Sequence, residues 1–99
     1  MTINKTTDGT ELKLGLEGRL DTTTSPQLEN ELKQNISGVT VLVIDMEKLD
    51  YISSAGLRVL LSAQKVMNKQ GSMTVKNVSP DIMEIFEVTG FVDILNIES

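Results

Sequence analysis

Asp50-Tyr51-Ile52-Ser53-Ser54-Ala55-Gly56-Leu57-Arg58-Val59-Leu60-Leu61 is the stretch on which the reading of this chain turns. An apolar, β-branched run leads into it from the N-terminal side, and an amphipathic helical pattern leads out. Gly56, Val59, Leu60, Ala63, Val66 and Met67 fall on one face of a 3.6-residue period, widened by Leu57 and Leu61, with Arg58, Ser62, Lys65 and Lys69 opposite. Gln70-Gly71 ends that helix. Ser53 and Ser54 therefore stand at a helix N-terminus, where unpaired N–H groups and roughly half a positive charge favour an anion. One hydroxyl suffices for a cap worth about 1 kcal/mol. Two adjacent hydroxyls followed by the small Ala55 and Gly56 suggest a place where another protein's backbone comes close.

Upstream, Val39-Thr40-Val41-Leu42-Val43-Ile44 is apolar on nearly every residue, the pattern of a strand covered on both faces. Asp45 to Asp50 then read as a turn beyond its C-terminal end, with Leu49 packed, and functional groups gather beyond such ends in open α/β sheets. Further back, Leu12, Leu14 and Leu16 alternate with Lys13, Gly15 and Glu17, a strand with one buried face that Gly18 ends. Ile3 begins a weaker edge strand, joined to it by the Asp8-Gly9 turn. Arg19-Leu20-Asp21-Thr22-Thr23-Thr24 follows as a polar loop, Thr24 or Ser25 caps a helix with Pro26 in its first turn, and Leu28, Leu32 and Ile36 form its apolar stripe. Glu29 and Lys33 are a favourable one-turn pair on it, and Ser37-Gly38 closes it.

Downstream, Ser72-Met73-Thr74-Val75-Lys76 alternates as a strand. Ser79-Pro80 starts a third helix with Ile82, Ile85 and Phe86 on its buried face, Gly90 stops it, and Phe91 to Ile97 end in a short strand. The alternation predicts one α/β domain over residues 1–99, a mixed, largely parallel sheet of four to five strands with three or more helices packed on it.

Composition removes most chemistry. The 99 residues contain no cysteine and no histidine, which excludes disulfides, thiol catalysis, histidine-ligated zinc and Ser-His-Asp nucleophiles. A net charge of −5 with three aromatics argues against nucleic acid and against an anionic membrane surface. No apolar run approaches a membrane span and the first nine residues are polar rather than signal-like, so direct membrane insertion is not expected and a cytoplasmic location is. Ser62-Ala63-Gln64-Lys65 matches the S-x-x-K pattern without its companion motifs, on the solvent face of the helix. Asn4-Lys5-Thr6, Asn35-Ile36-Ser37 and Asn77-Val78-Ser79 are chance glycosylation triplets. The acids, among them Asp45, Glu47, Asp50, Glu84, Glu87 and Asp93, have no metal-loop spacing, and there is no glycine-rich phosphate loop. No cofactor, metal or catalytic residue is expected.

Tyr51 to Leu61 resembles the signature of the bacterial anti-sigma factor antagonists, the STAS domain family, and Gly18-Arg19-Leu20-Asp21-Thr22-Thr23-Thr24 resembles that family's second marker. The separation of the two and the order of elements extend the resemblance over essentially the whole chain. It implies a partner switch in which the unphosphorylated protein binds an anti-sigma factor that is also a serine kinase, releasing a sigma factor for transcription. The kinase then phosphorylates the antagonist and breaks the complex, and a serine phosphatase restores it. The implied acceptor is Ser54, two residues before Gly56, with Ser53 left as the cap. The implied partner surface comprises Asp21, Thr22, Ser53, Ser54, Ala55, Gly56 and Arg58. Where many relatives have an acid this chain has Ser53, and Ala55 replaces the hydroxyl after the acceptor. The alternatives are a STAS subunit of a stress-signalling complex or transporter, acting by protein binding, and a small hydrolase built on Ser54 or Ser62, which the missing histidine disfavours.

Overall fold

Side-chain parity organises the sheet. Leu12, Leu14 and Leu16 on one strand, Leu42 and Ile44 on the next and Met73 and Val75 on a third are all buried. They meet in register, Leu12 beside Leu42 beside Met73 and Leu14 beside Ile44 beside Val75, so they share one face of the sheet. Their neighbours Lys13, Thr74 and Lys76 point the other way and keep contact with solvent. The computed structural model describes residues 1–98; Ser99, which closes the expected domain, lies outside them.

Among the described residues the chain forms five strands and three α-helices: β1 (Thr2–Asp8), β2 (Glu11–Leu20), α1 (Ser25–Asn35), β3 (Val41–Ile52), α2 (Ser54–Gln70), β4 (Ser72–Lys76), α3 (Pro80–Thr89) and β5 (Ile97–Glu98). β1 and β2 are an antiparallel hairpin around Gly9-Thr10, and the positive φ of +61° at Gly9 is the reason a glycine stands there. The other pairs are parallel and the strand order is the sequence order. Each helical crossover therefore steps one strand in the same direction. Right-handed crossovers of that kind place α1, α2 and α3 on the same face. Their inner residues, including Leu28, Leu32, Leu60, Met67, Ile82 and Phe86, join the strand leucines in one core.

Helices on one face only correct the expectation that the central strand is covered on both. Val41 is 36% exposed on the open face, where Val43 is shielded by its flanking strands instead. β3 is also longer than its apolar run. It starts at Val41 rather than Val39 and continues through the segment read as a turn, Asp45 to Asp50, as far as Ile52. Two register shifts against β2, each adding a residue to β3, interrupt the alternation, so Met46, Leu49 and Ile52 return to the core at spacings of three. β2 likewise passes the expected stop at Gly18, which sits at φ +99° beside the second register shift, and ends at the fully buried Leu20.

The caps follow the sequence with one exception. Ser53 and Ser79 accept the amides of Gly56 and Ile82 at 3.5 and 3.3 Å, and Gly90 ends α3 in the left-handed region at φ +78°. Glu29 and Lys33 pair at 3.4 Å. Thr24 is the N-cap of α1 but gives its hydroxyl to the preceding loop rather than to the helix. Val66, assigned to the buried face of α2, is 39% exposed. The last segment is a 3-10 turn at Phe91–Asp93 before the two-residue β5. At the far end of α2, Gly71 is packed so closely that a Cβ would overlap the Thr40 carbonyl, whose oxygen accepts the Ser72 amide at 2.9 Å.

Candidate functional site

The C-terminal ends of β2 and β3 lie side by side, Leu20 opposite Ile52. The chain leaves each strand at that point, into the β2–α1 loop and into α2. Two contacts fix the two exits against each other. The Ser53 amide donates to the Leu20 carbonyl at 2.9 Å. Gly56 faces inward onto the same residues, where a Cβ would stand 2.7 Å from Leu20 Cγ and 2.9 Å from Ile52 Cγ1. Glycine is required here because the first turn of α2 rests directly on the two strand ends. Gly56 is buried, on the apolar face where the helical period put it, and it sets the position of α2.

Asp21 builds the adjoining loop. Its Oδ1 accepts the amides of Thr23 and Thr24, both at 3.0 Å, a local turn that replaces backbone pairing. Thr24 returns the contact: its hydroxyl accepts the Asp21 amide at 2.8 Å and donates to the Arg19 carbonyl at 2.7 Å. The Arg19 guanidinium lies 3.6 Å from Asp21 Oδ2. The Thr24 amide, above all, holds the Asp21 carboxyl below its ordinary range. Desolvation opposes it, while the Thr24 hydroxyl, the Thr23 amide and Arg19 assist. Asp21 is thus an ionised carboxylate at neutral pH, held beside the start of α2.

Around this pair the structure gathers the other expected residues. Ser54 is the first residue of α2 and exposed, and with Ser53 as cap its hydroxyl has no hydrogen-bond partner among the described residues. Ala55 and Arg58 of α2 line a depression of about 380 Å³ with Thr22 and Ser25 of the neighbouring loop and helix. Asp21, Thr22, Ser53, Ser54, Ala55 and Arg58 therefore belong to one end of the molecule, with Gly56 beneath them. The sequence reading missed two residues there. Arg19 and Tyr51 are cross-strand partners, and the guanidinium lies 4.3 Å from the ring centroid. Both are substantially exposed. The signal that could have found them is the register beyond Gly18, which no period-two pattern carries.

In a second depression, on the open sheet face, Asp45 is paired with Lys13 at 3.7 Å. Burial raises the Asp45 carboxyl, but the Glu47 amide, the Asn77 amide group and Lys13 outweigh it and hold the group below its ordinary range. Among the described residues no group of histidine, cysteine or acidic side chains could hold a metal ion, and no helix is long and apolar enough to cross a membrane.

Comparison with known proteins identifies the family. The STAS domain model matches residues 2–99. A Bordetella bronchiseptica protein, BtrV, named as a candidate anti-sigma factor antagonist, is 41% identical over 81 residues, 80% of this chain and 70% of its own length. The anti-sigma-B factor antagonist of Bacillus subtilis is 28% identical over 90 residues, 90% of this chain and 83% of its own. Among solved structures, the phosphorylated form of the Bacillus cell fate determinant SpoIIAA superposes with a TM-score of 0.77 at 19% identity, covering 99% of this chain and 92% of its own, a likeness of fold. With its motifs, its strand order and these relatives in agreement, the chain belongs to the STAS domain family, among the bacterial anti-sigma factor antagonists.

Proposed function

We propose that this protein is a non-enzymatic, cytoplasmic binding module that occupies an anti-sigma factor possessing serine kinase activity and is released from it by phosphorylation of Ser54. The observation that carries this reading is the division of labour between the paired serines. Ser53 caps α2, and Ser54 stands exposed with an unengaged hydroxyl beside the Asp21 loop. In the transfer, Ser54 Oγ bonds to the γ-phosphorus of a nucleoside triphosphate held by the kinase. The bond from that phosphorus to the bridging oxygen breaks, the hydroxyl proton passes to a base of the kinase, and the diphosphate leaves. A serine phosphatase reverses the modification with water, releasing inorganic phosphate and restoring the hydroxyl.

The modification acts on binding rather than on the fold. A phosphate adds about −1.5 to −2 charges, which the N-terminal end of α2 tolerates. Inside an interface the same charge meets desolvation and the ionised Asp21. A few kcal/mol of such cost changes affinity by factors of tens to thousands. The test is binding to the cognate anti-sigma kinase: Ser54→Ala binds constitutively and Ser54→Asp does not. Unchanged affinity of Ser54→Asp would defeat the mechanism, and mass spectrometry after incubation with kinase and ATP locates the phosphate.

A further inference from the structure

Arg58 follows Ser54 by four residues on α2, is exposed, and makes neither an ion pair nor a hydrogen bond among the described residues. The acid that lines the depression with it is already engaged, and so is that of the adjoining loop. Glu29, which lines the same depression from α1, pairs with Lys33 at 3.4 Å, and Asp21 pairs with Arg19 at 3.6 Å. The first turn of α2 carries no acid, although that is where a helix gains most from one. Ser25, only 4% exposed and with a hydroxyl that has no partner, lines the depression as well. This end of the molecule therefore holds an exposed serine at a helix end that carries no acid and, one turn further along α2, a cation without a partner among the described residues.

We propose that Arg58 is the internal counter-charge of a phosphate on Ser54, so that modification withdraws Arg58 from the partner as it adds negative charge. The proposal rests on the reading of Ser54 as the modified residue. Side chains four apart on a helix stand about 5–6 Å apart at Cβ, and an anion N-terminal to a cation is the favourable order. A guanidinium offers parallel N–H donors to two phosphate oxygens, which an ammonium cannot match. One transferred group thus alters two features of the binding surface. The anion appears where the partner met a hydroxyl, and the cation one turn away is neutralised.

The test places phosphoserine at position 54 of the full chain during synthesis, so that no kinase is needed, and follows its second ionisation by 31P NMR. The original chain is compared with Arg58→Gln and Arg58→Lys, each at low salt and at 1 M salt, with folding checked by circular dichroism. Asp21, Arg19, Glu29 and Lys33 are common to all three, so differences report position 58. The midpoint of Arg58→Gln lies roughly 0.3 pH unit above that of the original chain at low salt, the size an exposed one-turn pair supports. Arg58→Lys lies between them, and the difference collapses at high salt. Equal midpoints of the original chain and Arg58→Gln at low salt overturn the proposal. Failure of the kinase to modify Ser54 would instead count against the proposed function and leaves these midpoints as measured.

Discussion

The Leu20 carbonyl accepts the Ser53 amide at 2.9 Å, and this single bond joins the end of β2 to the cap of α2. Asp21 follows one partner and Ser54 the other, so two motifs separated by a helix and a strand become one surface.

Gly56→Ala destabilises the protein although alanine is the better helix former. The new Cβ meets Leu20 Cγ at 2.7 Å and Ile52 Cγ1 at 2.9 Å, inner side-chain carbons rather than flexible ends. Overpacking of about 1–3 kcal/mol outweighs a propensity gain of up to about 1 kcal/mol. Urea unfolding measures the difference; an unchanged midpoint would mean that α2 lifts off the strands freely.

At the opposite end of α2, Gly71→Ala is the more damaging change. Its φ of 173° is extended backbone open to any residue, so the cost is steric, against the Thr40 carbonyl. A loss of about 3 kcal/mol or more, or failure to accumulate folded protein, is expected because backbone has to move. A thermal midpoint within a degree of the original chain would contradict this.

The two serines separate by stability. Ser53→Ala removes the cap and costs about 0.5–1 kcal/mol, toward the low end because the bond to the Gly56 amide is 3.5 Å long. Ser54→Ala leaves the unfolding midpoint unchanged within about 0.5 kcal/mol, as an exposed position without partners allows. Equal losses for both would reassign the cap.

Acid sensitivity tracks Asp21. A folded-state value depressed below the ordinary aspartate value of about 3.9 contributes stability above that pH, lost as pH falls through the folded value. Asp45, also depressed, acts in the same window. Asp21→Asn is less stable at pH 7 and declines less steeply from about pH 5 to pH 2. Parallel stability curves for the two proteins would exclude Asp21 as a source of the slope.

Tyr51→Ala weakens binding to the anti-sigma factor about tenfold or more without a matching loss of stability. An exposed tyrosine stacked by Arg19 next to Ser53 has the character of an interface anchor. Affinity within twofold of the original by titration calorimetry would place the interface elsewhere.

The sequence by itself determined the order of elements, the leucine face of β2, the limits of β4 and the caps at Ser53, Ser79 and Gly90. Each is set by contacts within a few residues, where period and capping chemistry are written locally. It also placed Ser54 at a helix start and made the pairing of Glu29 with Lys33 legible. Only the tertiary structure decided that β3 runs to Ile52, because each bulge shifts the alternation and the strand is held by its partner β2 rather than by its own pattern. The same holds for the open sheet face, which follows from three crossovers stepping in one direction. The site itself is of this second kind. Gly56 rests on Leu20 and Ile52, and Arg19 stands over Tyr51, because register between β2 and β3 brings distant residues together and no spacing along one chain records it.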